Sequence, residues 1–278
     1  MMKNIGVLHP GEMGVAVART LLNGGHQIWW ASEARSPETR HRAASAALCD
    51  AVSIRGVCEQ CEAIVSVCPP EFAEAIAQEV VSHGFRGLYI DANAISPLRA
   101  RRICAILEAA GARFVDSSII GLPPRNRHQT WIYLSGPHAA QAIPLFSGGP
   151  LEAEVLDGEI GKASALKMVF AAHTKGLAAL RAAVLATAQE MGVLSDLERQ
   201  WSRSGPPFAQ AVESLQHVVP KSWRFVAEMN EIAATFEAAG MPAGFHNAAA
   251  DVFARLAPLK GAADIELKTA LRLLTRKL

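Results

Sequence analysis

The chain has 278 residues, half of them apolar and 19% charged, which is long enough to bury a sizeable core in one large or two smaller domains. Its 27 lysines and arginines balance 26 aspartates and glutamates, and this points away from nucleic acid and from an anionic membrane surface as partners. No apolar run approaches the roughly 18 residues that span a bilayer, and the N-terminus enters a strand at once, without a signal-peptide layout.

Ile5 to Leu8 has the length and composition of a buried parallel strand. A turn with Gly11 and Gly14 follows, then a helix over Val15 to Leu22. Strand, glycine turn and helix are the parts that hold a dinucleotide pyrophosphate, through close backbone approach and the unpaired N–H groups of a helix start. The full G-x-G-x-x-G fingerprint lacks its first glycine here, because His9 stands in that place. His9, Pro10, Gly11, Glu12 and Met13 are therefore the first cofactor-binding candidates. The histidine is expected to adopt a conformation that a non-glycine residue tolerates.

Gln27 to Ala31 reads as a second strand, and the loop after it is where such a fold meets the adenosine ribose. Glu33 would suit a ribose hydroxyl and NAD. Arg35, Ser36 and Arg40 would suit a 2′-phosphate, because guanidinium forks match phosphate geometry. Two arginines and a hydroxyl against one acid favour NADP, with NAD as the alternative. Ser36-Pro37 also reads as a helix cap followed by a first-turn proline. Glu62 to Cys68 is expected as a strand that runs into the cofactor-loop candidates Cys68, Pro69 and Pro70, and a helix over Glu71 to His83 follows.

Leu88 to Asp91 is a further strand, followed by a loop containing Asn93 and by a helix that Ser96-Pro97 caps and Gly111 stops. Arg113 to Asp116 is expected as a strand ending in the loop 116–121, with Trp131 to Ser135 and Glu154 to Leu156 as the last strands. Repeated strand–helix units argue for an α/β Rossmann-type doubly wound sheet over residues 1–157, with its ligand beyond the strand C-termini.

After Gly161 the strand signal stops. Lys162 to Met191 reads as one long helix joining the domains, and helices are expected near 207–217, 220–239, 243–257 and 264–277. Residues 158–278 are thus expected to form an all-α domain for substrate and dimer contacts, with the ligand cleft between the two domains. Lys167 lies in an apolar context that would favour its neutral form, and Thr174, seven residues on, shares its helix face. The five cysteines, Cys49, Cys58, Cys61, Cys68 and Cys104, are an odd set in the first half and fit reduced thiols in a cytoplasm. Cys58-x-x-Cys61 lacks a second pair, and His138, His217 and His246 lack zinc-like spacing, so no metal is expected.

These residues resemble the β-hydroxyacid dehydrogenase and 6-phosphogluconate dehydrogenase-like oxidoreductases over nearly the whole chain. Gly6 to Gly14 is similar to that family's coenzyme loop, and Asp91 to Pro97 to the loop near the nicotinamide. Asp116-Ser117-Ser118-Ile119-Ile120-Gly121 is similar to its substrate-binding motif. Gly158 to Lys167 resembles the start of its interdomain helix, whose lysine is the general acid/base. The resemblance implies Lys167 as the catalytic group. It also implies Asn93, Ser117, Ser118, Gly121 and Thr174 around substrate, and Asn93 beside the cofactor as well.

The chain departs from the family at His9, at Ala171 in place of an asparagine four residues after the lysine, and at Ser118-Ile119-Ile120. Trp223-Arg224-Phe225 and Gly244-Phe245-His246 resemble a short subgroup with a C-terminal domain of unknown function. The expectation is an NADPH-preferring oxidoreductase of a small hydroxy acid or related alcohol, a homodimer through its helical domain. An imine reductase is the runner-up and a non-catalytic nucleotide-binding protein the third reading.

Overall fold

The computed structural model describes residues 2–262 and 265–275 and divides into two units, Met1–Met168 and Val169–Leu278. In the first unit, strands and helices alternate: β1 (Asn4–Leu8), α1 (Glu12–Asn23), β2 (Gln27–Trp30), α2 (Pro37–Ser45), β3 (Cys49–Asp50), α3 (Ile54–Gln60), β4 (Ala63–Ser66), α4 (Ala73–Ser82), β5 (Leu88–Asp91) and α5 (Pro97–Ala109). Then follow β6 (Arg113–Ile120), β7 (Thr130–Ser135), the short α6 (Ala139–Ala142) and β8 (Leu151–Val155). The eight strands form one sheet in the order β3-β2-β1-β4-β5-β6-β7-β8. All neighbours are parallel except β6 and β7.

The near-continuous apolar strands are explained by burial on both faces. Val65, Ile90 and Val115 join one core with Val17 and Leu21 of α1. Their immediate neighbours Ile64, Tyr89 and Phe114 point the other way, into a second core with Ile76 of α4 and Ile103 and Leu107 of α5. The helices are thus distributed over both sheet faces, as in a Rossmann fold. Ser36 and Ser96 cap α2 and α5 by accepting from Thr39 N and Arg99 N, each followed by a first-turn proline.

The two-residue β3 and a helix at Leu194–Ser204 were not foreseen in the sequence, and β4 is shorter than the run 62–68. β6 continues through Ile120, so most of the stretch 116–121 is strand rather than loop. Pairing of Asp116 to Ile120 with β7 supplies the hydrogen bonds that extend it.

α7 (Lys162–Glu190) begins in the first unit and continues into the second, so the division at Met168 lies inside the helix rather than at residue 157. By length and composition α7 could cross a membrane, although Lys167, Lys175 and Arg181 break its apolar runs. Its hydropathy comes from many alanines, and Ala171, Ala172, Ala178, Ala179, Ala182 and Ala186 are buried within the protein. The second unit adds α8 (Leu194–Ser204), α9 (Phe208–Val218), α10 (Ser222–Ala238), α11 (Gly244–Leu256) and α12 (Leu267–Thr275). Residues 264, 276 and 277 of the last expected helix lie outside the described residues. Leu185, Leu215, Val219, Leu256, Leu271 and Leu274 form a core there. Lys175 Nζ lies 2.6 Å from Glu228 Oε1 and 5.1 Å from the centre of the Phe225 ring.

Candidate active site

The parallel strands β1, β2, β4, β5 and β6 bring their C-terminal ends to one sheet edge. At the end of β1 the expected tight turn forms, but not as anticipated. His9 takes φ 67°, the left-handed conformation that glycine adopts freely, directly before Pro10. The turn closes through Gly11 N donating to His9 O at 2.7 Å. Gly14 is required by close approach, since a Cβ there would lie 2.4 Å from His9 O. A Cβ on Gly11 would meet only His9 O, at 4.0 Å, so this face of the turn stays open in front of the α1 N-terminus.

Two buried polar atoms beside the turn, His9 Nδ1 and Arg35 Nε, have no hydrogen-bond partner among the described residues. Burial, with the Arg35 charge added, pushes the His9 pKa down to about 4, so the ring is neutral near pH 7. Arg40 Nε donates to Arg35 O at 3.3 Å, and Arg42 Nε donates to Pro10 O at 3.4 Å. Arg42 was not singled out in the sequence, although it lies two residues after Arg40, in the last turn of the same helix. An open glycine turn, a helix N-terminus, arginines and two unpartnered buried nitrogens fit a dinucleotide carrying phosphate groups.

Next to this turn runs a buried polar row. Ser66, Asp91, Asp116 and Ser135 are in register across β4, β5, β6 and β7, and none has exposed surface. Asn93 ties the row to the cofactor loop. It donates its N–H to Asp91 Oδ1 at 3.0 Å and its amide to Ser66 Oγ at 3.1 Å, and its Oδ1 accepts from Cys68 N at 2.6 Å. Burial raises the Asp91 pKa to about 7, opposed by the Asn93 N–H and assisted by the Asp116 charge. The two aspartates each end an apolar run, Leu88-Tyr89-Ile90 and Phe114-Val115, and that was the signal available in sequence.

Lys167 lies on the first turns of α7, and its Nζ donates to Ile119 O near the end of β6 at 2.9 Å. The amine is thus held at the same sheet edge as the loops after β1, β4 and β5. Gly161, at φ 100°, turns the chain into this helix where any Cβ would lie 2.9 Å from Arg101 Nη1.

Several residues expected at the substrate are engaged within the protein. Ser117 donates to Asp91 O at 2.7 Å and Ser118 to Ala163 O at 2.8 Å, both fully buried, so their hydroxyls tie β6 to β5 and to the start of α7. Asn93 is 2% exposed, and its amide, engaged within the protein, holds the start of the 68–70 loop. Gly121 is exposed at φ 129°. Thr174, in the second unit, donates to Phe170 O at 3.3 Å. Burial pushes the Cys58 and Cys61 thiols up to about 12 and raises Cys68 further, so none is an activated nucleophile.

Residues 4–143 match the NAD binding domain of 6-phosphogluconate dehydrogenase, half of the chain, and residues 188–256 match a domain of unknown function, DUF1932. The chain belongs to this dehydrogenase-type NAD-binding family. A Methanothermus fervidus protein, described as an uncharacterized 28.5 kDa protein in the 7S RNA 5′ region, is 31% identical over 134 residues, 48% of this chain and 51% of that one. The chain thus matches about half the length of this curated relative.

A conserved protein of unknown function, described as structurally similar to 3-hydroxyacid dehydrogenases, aligns at 28% identity and TM-score 0.65 over 94% of this chain and 100% of its own. A 3-hydroxyisobutyrate dehydrogenase from Salmonella typhimurium shares the fold at 19% identity and TM-score 0.71, over 98% and 99% of the two chains. An imine reductase from Streptomyces aurantiacus does so at 17% identity and TM-score 0.53, over 99% and 100%.

Proposed function

We propose that the protein is an NADPH-preferring oxidoreductase that interconverts a small hydroxy acid or related alcohol with its carbonyl form. The observation that carries this reading is Lys167 Nζ, fixed 2.9 Å from Ile119 O at the sheet edge that also bears the dinucleotide turn. A bound nicotinamide would supply the hydride acceptor for oxidation of the carbinol carbon and the hydride donor for reduction of the carbonyl carbon. Lys167 handles the accompanying proton. As a neutral amine it takes the hydroxyl proton in oxidation, and as an ammonium it gives one to the carbonyl oxygen in reduction.

His9 to Met13, with the α1 N-terminus, would hold the pyrophosphate, and Cys68, Pro69 and Pro70 would flank the nicotinamide half. Arg35, Ser36 and Arg40 would hold a 2′-phosphate, with Arg42 bracing the turn. Backbone at Gly121 would orient the substrate. The exposed Val169, Phe170, Leu180 and Phe245 support a second copy of the chain as the partner of the helical unit, testable by light scattering. Five free cysteines support a reducing compartment such as the cytoplasm.

Purified protein with NADPH and a panel of small oxo acids tests the reading. Lys167→Ala should lose about 100-fold or more in kcat, as expected for removal of a general acid, while NADPH affinity stays within about threefold. Full turnover in that variant would remove Lys167 from the chemistry. The shared fold with imine reductases and a reductive aminase supports imine reduction as a second reading. Cyclic imines in the same panel separate the two. Hydride transfer to any member removes the non-catalytic alternative.

A further inference from the structure

We propose that Asp116 is a positioning residue for Lys167, a buried carboxylate that caps the first turn of α7 from the sheet and so sets where the reactive amine lies. The inference rests on the acid/base role of Lys167 given above. Asp116 has no exposed surface and receives four donors. Its Oδ2 accepts from Gly161 N at 2.9 Å, Ser164 N at 3.2 Å and Ser135 Oγ at 2.8 Å, and its Oδ1 accepts from Ser164 Oγ at 2.6 Å.

The first N–H groups of a helix have no intrahelical partners, so an anion there is held both by hydrogen bonds and by the helix dipole. In α2 and α5 the cap is the serine directly before the helix. In α7 the carboxylate comes from another element, so the cap also fastens the helix to β6. Ser135 Oγ and the Ser118 hydroxyl complete the grip by engaging Ala163 N at 3.0 Å and Ala163 O at 2.8 Å.

The spacing connects this cap to the amine. Ser164 and Lys167 are three apart on a helix and share a side. Asp116 and Ile119 are three apart on the strand that faces them. The pairs Asp116–Ser164 and Ile119–Lys167 therefore fix one helix turn to one strand at two points, the second being the lysine itself. Loosening the first point frees the turn that carries the second.

Lysine labelling of the full-length protein with trinitrobenzenesulfonate, read by peptide mapping, tests this without cofactor or substrate. Asp116→Asn should raise the labelling rate of Lys167 about fivefold, the population change that loss of one capping interaction produces. Lys175, further along the same helix and paired with Glu228, should stay at its original rate. Ser164→Ala, which removes only the Oδ1 partner, should give a smaller rise and carries the test if Asp116→Asn does not fold. An unchanged Lys167 rate in the folded variants overturns the proposal, as does an equal rise at Lys175.

In the NADPH assay, with the oxo acid reduced fastest in the panel, Asp116→Asn should lower kcat with little change in KM. The double variant with Lys167→Ala should be no slower than Lys167→Ala alone. Additive losses would mean that Asp116 acts elsewhere. If Lys167→Ala keeps full turnover, the acid/base reading fails while the labelling result still stands by itself.

Discussion

His9 holds a left-handed backbone before a proline, at a cost of roughly 1–2 kcal/mol for a non-glycine residue. His9→Gly should recover part of that as a raised melting temperature. Its NADPH affinity should change only severalfold if the ring contributes shape alone, whereas a complete loss in fluorescence titration would show that the imidazole itself binds. Asp91 makes a second residue-scale prediction. The folded state holds the Asp91 proton more tightly than the unfolded state, with the pKa raised from 3.8 to about 7. Its contribution to stability is therefore complete below about pH 4 and is lost as pH rises through 7, on the order of 4 kcal/mol in all. Asp91→Asn should flatten the stability profile between pH 4 and 8 and raise stability at pH 8, measured by urea denaturation. An unaltered slope would sink the assignment. The missing fingerprint glycine and the lysine were legible in sequence because each is a local pattern. The aspartate row was not, because register across strands is not written in any one of them.

At the scale of elements, the turn between β1 and α1 depends on Gly14 more than on Gly11. Gly14→Ala would drive a Cβ to 2.4 Å from the backbone oxygen of His9, which cannot swing aside as a flexible side-chain end could. The expected result is a loss of about 1–3 kcal/mol in stability, in the range of overpacking, together with at least tenfold weaker NADPH binding. Gly11→Ala meets open space and should fold normally while binding NADPH more weakly. Equal behaviour of the two variants would contradict this division. The caps of α2 and α5 were readable because serine, proline and helix are contiguous. Two elements left little to read: β3 has two residues, and α8 buries none of its side chains. The polar Asp116-Ser117-Ser118 reads as loop, yet it is strand, its hydroxyls finding carbonyl partners on β5 and at the start of α7.

For the whole molecule, ligand binding to the folded state should appear as added stability. At a concentration 100 times its dissociation constant, NADPH should add about 2.7 kcal/mol. NADH at the same concentration should add less if Arg35, Ser36 and Arg40 recognise a 2′-phosphate, and thermal denaturation with each cofactor checks it. A larger shift with NADH would reassign that loop to ribose hydroxyls through Glu33. The alternation of strand and helix made the first unit and its sheet edge readable from composition and punctuation alone, whereas the division inside α7 was not, because no break in sequence marks it. Every hydrogen bond described at the α7 N-terminus, and the one from Lys167 to Ile119, is made within Met1–Met168. A recombination event just beyond Met168 would therefore exchange everything downstream and keep each of these hydrogen bonds. New helical partners could be tried in evolution, or in the laboratory, without rebuilding the lysine's setting each time.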